Sequence, residues 1–192
     1  LDGTKVPSKC QGGNMKKVLK IIAIIFLVIV LAFVGLYLYA DNKPAILKGY
    51  RSEIETGGEI EEKYLGDGDY ETKKVTVKAP DPIKKYTVYY PKEMEETKQM
   101  YPMVLIVNGT GGKATKYEPQ FAQLASWGFI VVGTQDKGTG SGETIIETLN
   151  YMLEQNEDDD SIFYQKIDIE NIGVTGFSQG GAATIRSAYM FD

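Results

Sequence analysis

The ten residues Ile172-Gly173-Val174-Thr175-Gly176-Phe177-Ser178-Gln179-Gly180-Gly181 constrain this chain more than any other stretch. An apolar, β-favouring run meets a glycine, then a serine, then two more glycines, and a helical pattern follows to about Met190. This is the signature of a buried strand that turns sharply into a helix, with Ser178 at the apex. The turn brings strand and helix backbones close together, so the positions flanking the serine must be small, and Gly176 and Gly180 supply that room. A helix opening at Ser178 points its unpaired N–H groups and positive dipole end at the serine, which favours negative charge developing there. Ser178 is therefore the candidate nucleophile, and the Gln179 backbone N–H is a candidate oxyanion donor. The plainer alternative is an inert serine at an ordinary strand–helix junction.

A serine hydroxyl attacks well only when a neighbouring base takes its proton. The chain has 192 residues and no histidine. The pattern for a nucleophile is present, and the usual base is not.

A second oxyanion donor is expected on the loop after an earlier strand. Met103-Val104-Leu105-Ile106-Val107 is a continuous apolar run of the kind covered on both faces, and Asn108-Gly109-Thr110-Gly111-Gly112 follows it. Gly109 and Gly111 let the backbone turn so that the Thr110 N–H faces the same point as Gln179. A phosphate cradle is the rival reading of such a loop, but neither the Walker nor the dinucleotide pattern is present.

Elsewhere, strands are expected at 73–79 and 86–90, each with alternating apolar residues, and at 129–132 and 172–176. Helices are expected at 117–127, closed by Gly128, at 142–155 and at 178–190. Alternation of strands with helices predicts an α/β fold: a mostly parallel sheet with helices on both faces. Asp158-Asp159-Asp160 lacks the alternating ligand spacing of a calcium loop and reads as a solvated turn. Asp136 follows a strand end, where catalytic acids occur, but reads as a loop cap or a solvated carboxylate, and Trp127 and Tyr117 read as helix-to-sheet packing residues rather than pocket walls.

The 26 acidic and 21 basic residues leave a net charge of -5, with no basic patch to recommend nucleic acid as a partner. Cys10 is the only cysteine, which excludes an intramolecular disulfide and a paired-thiolate metal site. No metal or cofactor is expected.

Residues 21–40 carry no charge and match the roughly 20 apolar residues that a bilayer-spanning helix requires. Lys16, Lys17 and Lys20 precede them and favour a cytoplasmic N-terminus. Residues 15–41 are thus expected to be a signal anchor, leaving the following domain extracytoplasmic. Secretion after signal cleavage is the first alternative, and a buried soluble helix the second. Residues 1–14 are expected to be translated leader: Gln11-Gly12-Gly13-Asn14 can be encoded by a bacterial ribosome-binding sequence ahead of Met15. A short cytoplasmic tail is the alternative. Residues 42–69 read as a spacer and 70–192 as a partial catalytic domain.

Taken together, Gly68-Asp69-Tyr70, Val88-Tyr89-Tyr90-Pro91, Val107 to Gly112, Leu124 to Val131 and Gly176 to Gly181 resemble the α/β-hydrolase superfamily. The likeness is to its cutinase-like and polyester-hydrolase-like branch, which borders the dienelactone hydrolases and chlorophyllases. The resemblance implies an α/β-hydrolase fold and a serine carboxylic ester hydrolase acting on an ester substrate through an acyl-enzyme. It implies Ser178 as nucleophile and Thr110 and Gln179 as oxyanion donors, with no cofactor. The sequence departs from that pattern at Asn108, where relatives often carry histidine or proline. In such enzymes an aspartate and a histidine follow the nucleophile helix on later strands. This chain, which stops at Asp192, is accordingly expected to be an amino-terminal fragment, inactive by itself. A non-catalytic hydrolase-like binding domain is one alternative, and a serine peptidase or acyltransferase on the same scaffold is another.

Overall fold

The computed structural model describes residues 12–47 and 49–190. Cys10 and most of the expected leader at 1–14 lie outside them. The chain divides into two units, Leu1–Lys43 and Pro44–Asp192. In the first, helix α1 (Gly12–Asn42) includes Met15–Asn42, which is long and apolar enough to cross a membrane. Its apolar side chains, Ile21 to Tyr39 among them, are exposed. A signal sequence shares these properties, so the helix fits either expectation for the N-terminus.

The second unit is built on strands β1 (Thr72–Lys78), β2 (Lys85–Pro91), β3 (Tyr101–Val107), β4 (Ile130–Thr134) and β5 (Ile167–Gly176). They form one sheet in the order β1-β2-β4-β3-β5. The sheet is mixed rather than mostly parallel. β2 runs antiparallel to both β1 and β4, while β3 is parallel to β4 and to β5. The reason lies in the connections. Only a short turn separates β1 from β2, which makes a hairpin, whereas a helix follows each strand from β3 onward and returns the chain for parallel pairing.

Helix α2 (Glu59–Leu65) precedes the sheet, and α3 (Glu118–Ser126), α4 (Glu143–Glu157) and α5 (Gln179–Ala188) flank it. Successive strand residues point to opposite faces. Val88, Tyr90, Met103, Leu105, Ile130 and Val132 therefore share one apolar cluster with Ile145 and Met152 of α4 and Ala183 of α5. Tyr89, Ile106 and Val131 join a second cluster with Phe121 and Ala125 of α3. Phe121 is fully buried, worth about 1.5–3 kcal/mol by area alone. α3 ends as the sequence suggests, with Gly128 at φ 93° and its N–H on the Ala125 carbonyl.

Two segments differ from the sequence reading. β5 begins at Ile167 rather than 172. A register irregularity opposite Pro102 and Met103 carries the pairing from Asp168 to Ile172, and polar residues at the break hide the strand's first part. Proline has no N–H to offer the ladder, which suits it to such a break. Residues 42–69, expected as a spacer, contain α2 and several ties to α3. Gln123 Nε2 donates to the Tyr64 carbonyl (2.8 Å), Trp127 Nε1 to the Gly66 carbonyl (3.1 Å), and Ser126 Oγ accepts from the Gly68 N–H (2.8 Å). Trp127 meets Tyr64 with ring centres 5.0 Å apart and planes tilted by 48°, so it packs on this segment.

Candidate active site

β3 and β5 run parallel and in register to their ends, where Val107 stands opposite Gly176. The Phe177 N–H adds one more bond, to the Val107 carbonyl at 3.0 Å. The chain then reverses within one residue. Ser178 has φ 54° and ψ −120°, a conformation that L residues rarely adopt and that costs roughly 1–3 kcal/mol. α5 starts immediately, with the Gly180 N–H on the Phe177 carbonyl (2.9 Å) and the Gly181 N–H on the Ser178 carbonyl (3.0 Å). Ser178 is exposed at this apex. Among the described residues its hydroxyl has no hydrogen-bond partner.

Both elbow glycines sit where nothing larger fits. A Cβ on Gly176 would lie 2.4 Å from the Gly180 carbonyl oxygen, and one on Gly180 would lie 2.2 Å from the Val107 carbonyl oxygen. These clashes are with backbone, which cannot rotate away.

The 108–112 loop packs directly on the elbow. A Cβ on Gly109 would meet Ser178 Cβ at 3.1 Å. Gly111 takes φ 70°, the left-handed region that glycine enters freely. The Gly111 N–H donates to the Lys137 carbonyl (3.0 Å) and the Gly112 N–H to the Gly109 carbonyl (2.9 Å). The Thr110 and Gln179 N–H groups have no such partner among the described residues. The two residues also meet through side chains, with Thr110 Oγ1 donating to Gln179 Oε1 at 3.2 Å. Thr110, Gln179 and Ser178 are thus brought together from two parts of the chain.

Three supporting residues carry more than the sequence disclosed. Asn108 is 1% exposed, and its Nδ2 donates to the Asp136 (2.7 Å), Gly112 (3.0 Å) and Gly109 (3.3 Å) carbonyls. Thr139 Oγ1 donates to the Asn108 carbonyl at 2.8 Å. Arg186, from α5, donates to the Gly140 carbonyl at 2.6 Å and holds the 139–141 turn near Gln179. The sequence signals for Asn108 were a polar residue closing an apolar strand and a departure from the pattern of the resembled family. Nothing in the sequence marks Thr139. Asp136 is a loop anchor, as expected, accepting from the Gly138 N–H at 2.8 Å and from the Thr144 hydroxyl.

A cavity of about 560 Å³ opens beside Phe177, with Ile106, Leu124, Thr175 and Tyr117 among its walls. Tyr117 also leans on Phe177 at 6.4 Å between ring centres, so it lines a pocket as well as packing. Ser178 is not among the cavity's walls.

The groups with displaced titration lie away from the elbow. Burial, then the Glu147 carboxylate, pushes Tyr86 up to about 12. Burial, then the hydrogen bond to Glu95, raises Tyr90. Glu95 is lowered, first by the Lys73 hydrogen bond and then by that of Tyr90. Asp158, Asp159 and Asp160 are exposed and place their carboxylate oxygens within 4.8 Å of one another, close enough to hold a cation. Asp158 Oδ1 accepts the Asp160 N–H at 3.1 Å, an ordinary turn bond.

A family profile described as PETase: PET hydrolase-like matches residues 59–190. The match takes in the whole sheet, the 108–112 loop and the elbow. No curated protein matches the chain.

Proposed function

This chain belongs to the PET hydrolase-like family of α/β-hydrolases, and from that premise we propose that Ser178 is the nucleophile of a serine carboxylic ester hydrolase. The observation that carries the reading is the backbone of Ser178, held at φ 54° with its side chain exposed between the 108–112 loop and the first turn of α5. Such strain persists only where the surroundings enforce it, and it is concentrated at functional sites.

In this reading Ser178 Oγ attacks the ester carbonyl carbon as its proton passes to a base. The carbonyl oxygen becomes an oxyanion and accepts hydrogen bonds from the Thr110 and Gln179 N–H groups, which the loop and the helix terminus hold ready. The tetrahedral intermediate collapses, the alcohol leaves with the proton, and the acyl group stays on Ser178. Water, deprotonated by the same base, then attacks the acyl carbon and releases the acid.

The usual proton acceptor, a histidine, is the part of the triad that this chain does not contain. In this reading no side chain of these residues serves as the base, and by themselves they are expected to be inactive. The absent histidine also keeps a second reading open, a hydrolase-like domain that binds without reacting. We further propose that residues 15–41 anchor the protein, with Lys16, Lys17 and Lys20 on the cytoplasmic side and the domain outside.

The test supplies the base in solution. The full chain in detergent is treated with an alkyl fluorophosphonate in the presence of imidazole, alongside Ser178→Ala. The proposal expects imidazole-dependent labelling of the wild type and none of the variant. Equal labelling of the two would favour the non-catalytic reading.

A further inference from the structure

We propose that Asn108 is the positioning residue of the oxyanion loop: its buried side-chain amide shapes residues 109–112 so that the Thr110 N–H faces Ser178. This rests on the serine-nucleophile reading above.

The amide nitrogen has three carbonyl oxygens around it, those of Asp136, Gly112 and Gly109 at 2.7, 3.0 and 3.3 Å. Three acceptors fix which end of the amide is nitrogen. Its two hydrogens serve the nearer two fully, and each of these bonds has a distinct effect. The bond to Gly112 draws the far end of the loop back onto the end of β3. The bond to Asp136 ties the loop to the segment that follows β4. Thr139 Oγ1, donating to the Asn108 carbonyl at 2.8 Å, secures the same residue from the other side. With the loop so folded, the Gly111 and Gly112 N–H groups are taken by the Lys137 and Gly109 carbonyls, and that of Thr110 is left over.

The oxygen of the same amide makes no comparable bond. Asn108 Oδ1 is buried and has no partner among the described residues. A buried acceptor without a donor is unfavourable, and Thr87 Oγ1 and Gln135 Nε2 are likewise buried without a partner among the described residues, so the role of Asn108 rests on its donors. What it provides is a pair of donors aimed at backbone carbonyls, which no apolar residue and no carboxylate of that size can offer. Aspartate keeps the shape and replaces the donors with charge facing the Asp136 and Gly112 oxygens. Asn108 does not reach the reacting atoms and acts through the loop.

The test uses the full chain in detergent with imidazole as base, comparing wild type, Asn108→Asp and the milder Thr139→Val. Fluorophosphonate labelling of Ser178 at several probe concentrations separates the limiting rate from the half-saturating concentration. The limiting rate is expected to fall about tenfold or more in Asn108→Asp, and less in Thr139→Val, at unchanged half-saturation. Amide hydrogen exchange is expected to rise about tenfold across 109–112 while β4 and α4 keep their protection. Limiting rates within about twofold of wild type in both variants would overturn the proposal. If wild-type Ser178 is not labelled at all, the nucleophile reading falls. Exchange then decides the positioning claim, and unchanged protection across 109–112 overturns it. An unfolded Asn108→Asp reveals itself by lost protection throughout, and Thr139→Val then carries the test.

Discussion

Gly180→Ala separates a close-packed elbow from an ordinary helix start, because the two predict opposite signs. Alanine is favoured over glycine in an exposed helix by about 1 kcal/mol, so an unconstrained first turn would be stabilised. Here the new Cβ would stand 2.2 Å from the Val107 carbonyl oxygen and 2.7 Å from that of Asn108. Non-bonded heavy atoms settle at about 3.5–4.0 Å, so α5 must retreat from β3 by on the order of 1 Å. Both sides of the clash are backbone, and no side-chain rotation relieves it. Overpacking of this kind costs about 1–3 kcal/mol or more, and the propensity gain offsets only part of it. A net loss of about 1–2 kcal/mol lowers the midpoint of a domain this size by roughly 2–8 °C. Thermal unfolding of the full chain followed by circular dichroism reads this directly. Gly173→Ala in β5 is the control, since its Cβ would meet nothing closer than Val104 Cγ2 at 3.9 Å. A midpoint that rises in Gly180→Ala would refute the close approach on which the elbow depends.

Without added base, the full chain is expected to hydrolyse p-nitrophenyl acetate no faster than Ser178→Ala, and clear Ser178-dependent turnover would show that a residue of this chain serves as the base. A second expectation concerns acid. The Lys73 hydrogen bond, then that of Tyr90, holds Glu95 below its usual value of 4.5, so the folded state favours the carboxylate. The stability it contributes is present above pH 4.5 and is lost as pH falls below that value toward the folded pKa. Unfolding midpoints should therefore drop less steeply on acidification in Glu95→Gln than in wild type. The difference is expected to be at most about 1 kcal/mol because Lys73 is partly exposed. Identical pH profiles would show that the pair contributes nothing.

What could be read from the sequence was whatever depends on local pattern. The elbow was legible because an apolar strand, a serine two positions from a glycine on each side and a helical run lie within twenty consecutive positions. β3, β4 and α3 were legible for the same reason, from unbroken apolar runs and a terminating Gly128. The hidden parts depend on partners distant in sequence. The role of Asn108 is set by the Asp136 carbonyl, 28 residues away, and no property of Asn108 alone announces that bond. Residues 64–68 looked like a spacer because α3 holds them largely through their backbone N–H and carbonyl groups, which carry no side-chain signature. The antiparallel place of β2 beside β4 is a matter of topology, since alternating Tyr86, Val88 and Tyr90 would suit either direction.

The central claim is that the turn between β5 and α5 makes one serine a nucleophile, and peptide mapping of the fluorophosphonate adduct tests it most directly. The full chain is labelled with imidazole present, digested, and the modified residue located by mass spectrometry. The account predicts the adduct on Ser178 alone, with Ser126, Ser141, Ser161 and Ser187 unmodified. An adduct spread over several serines, or one that spares Ser178, would contradict it.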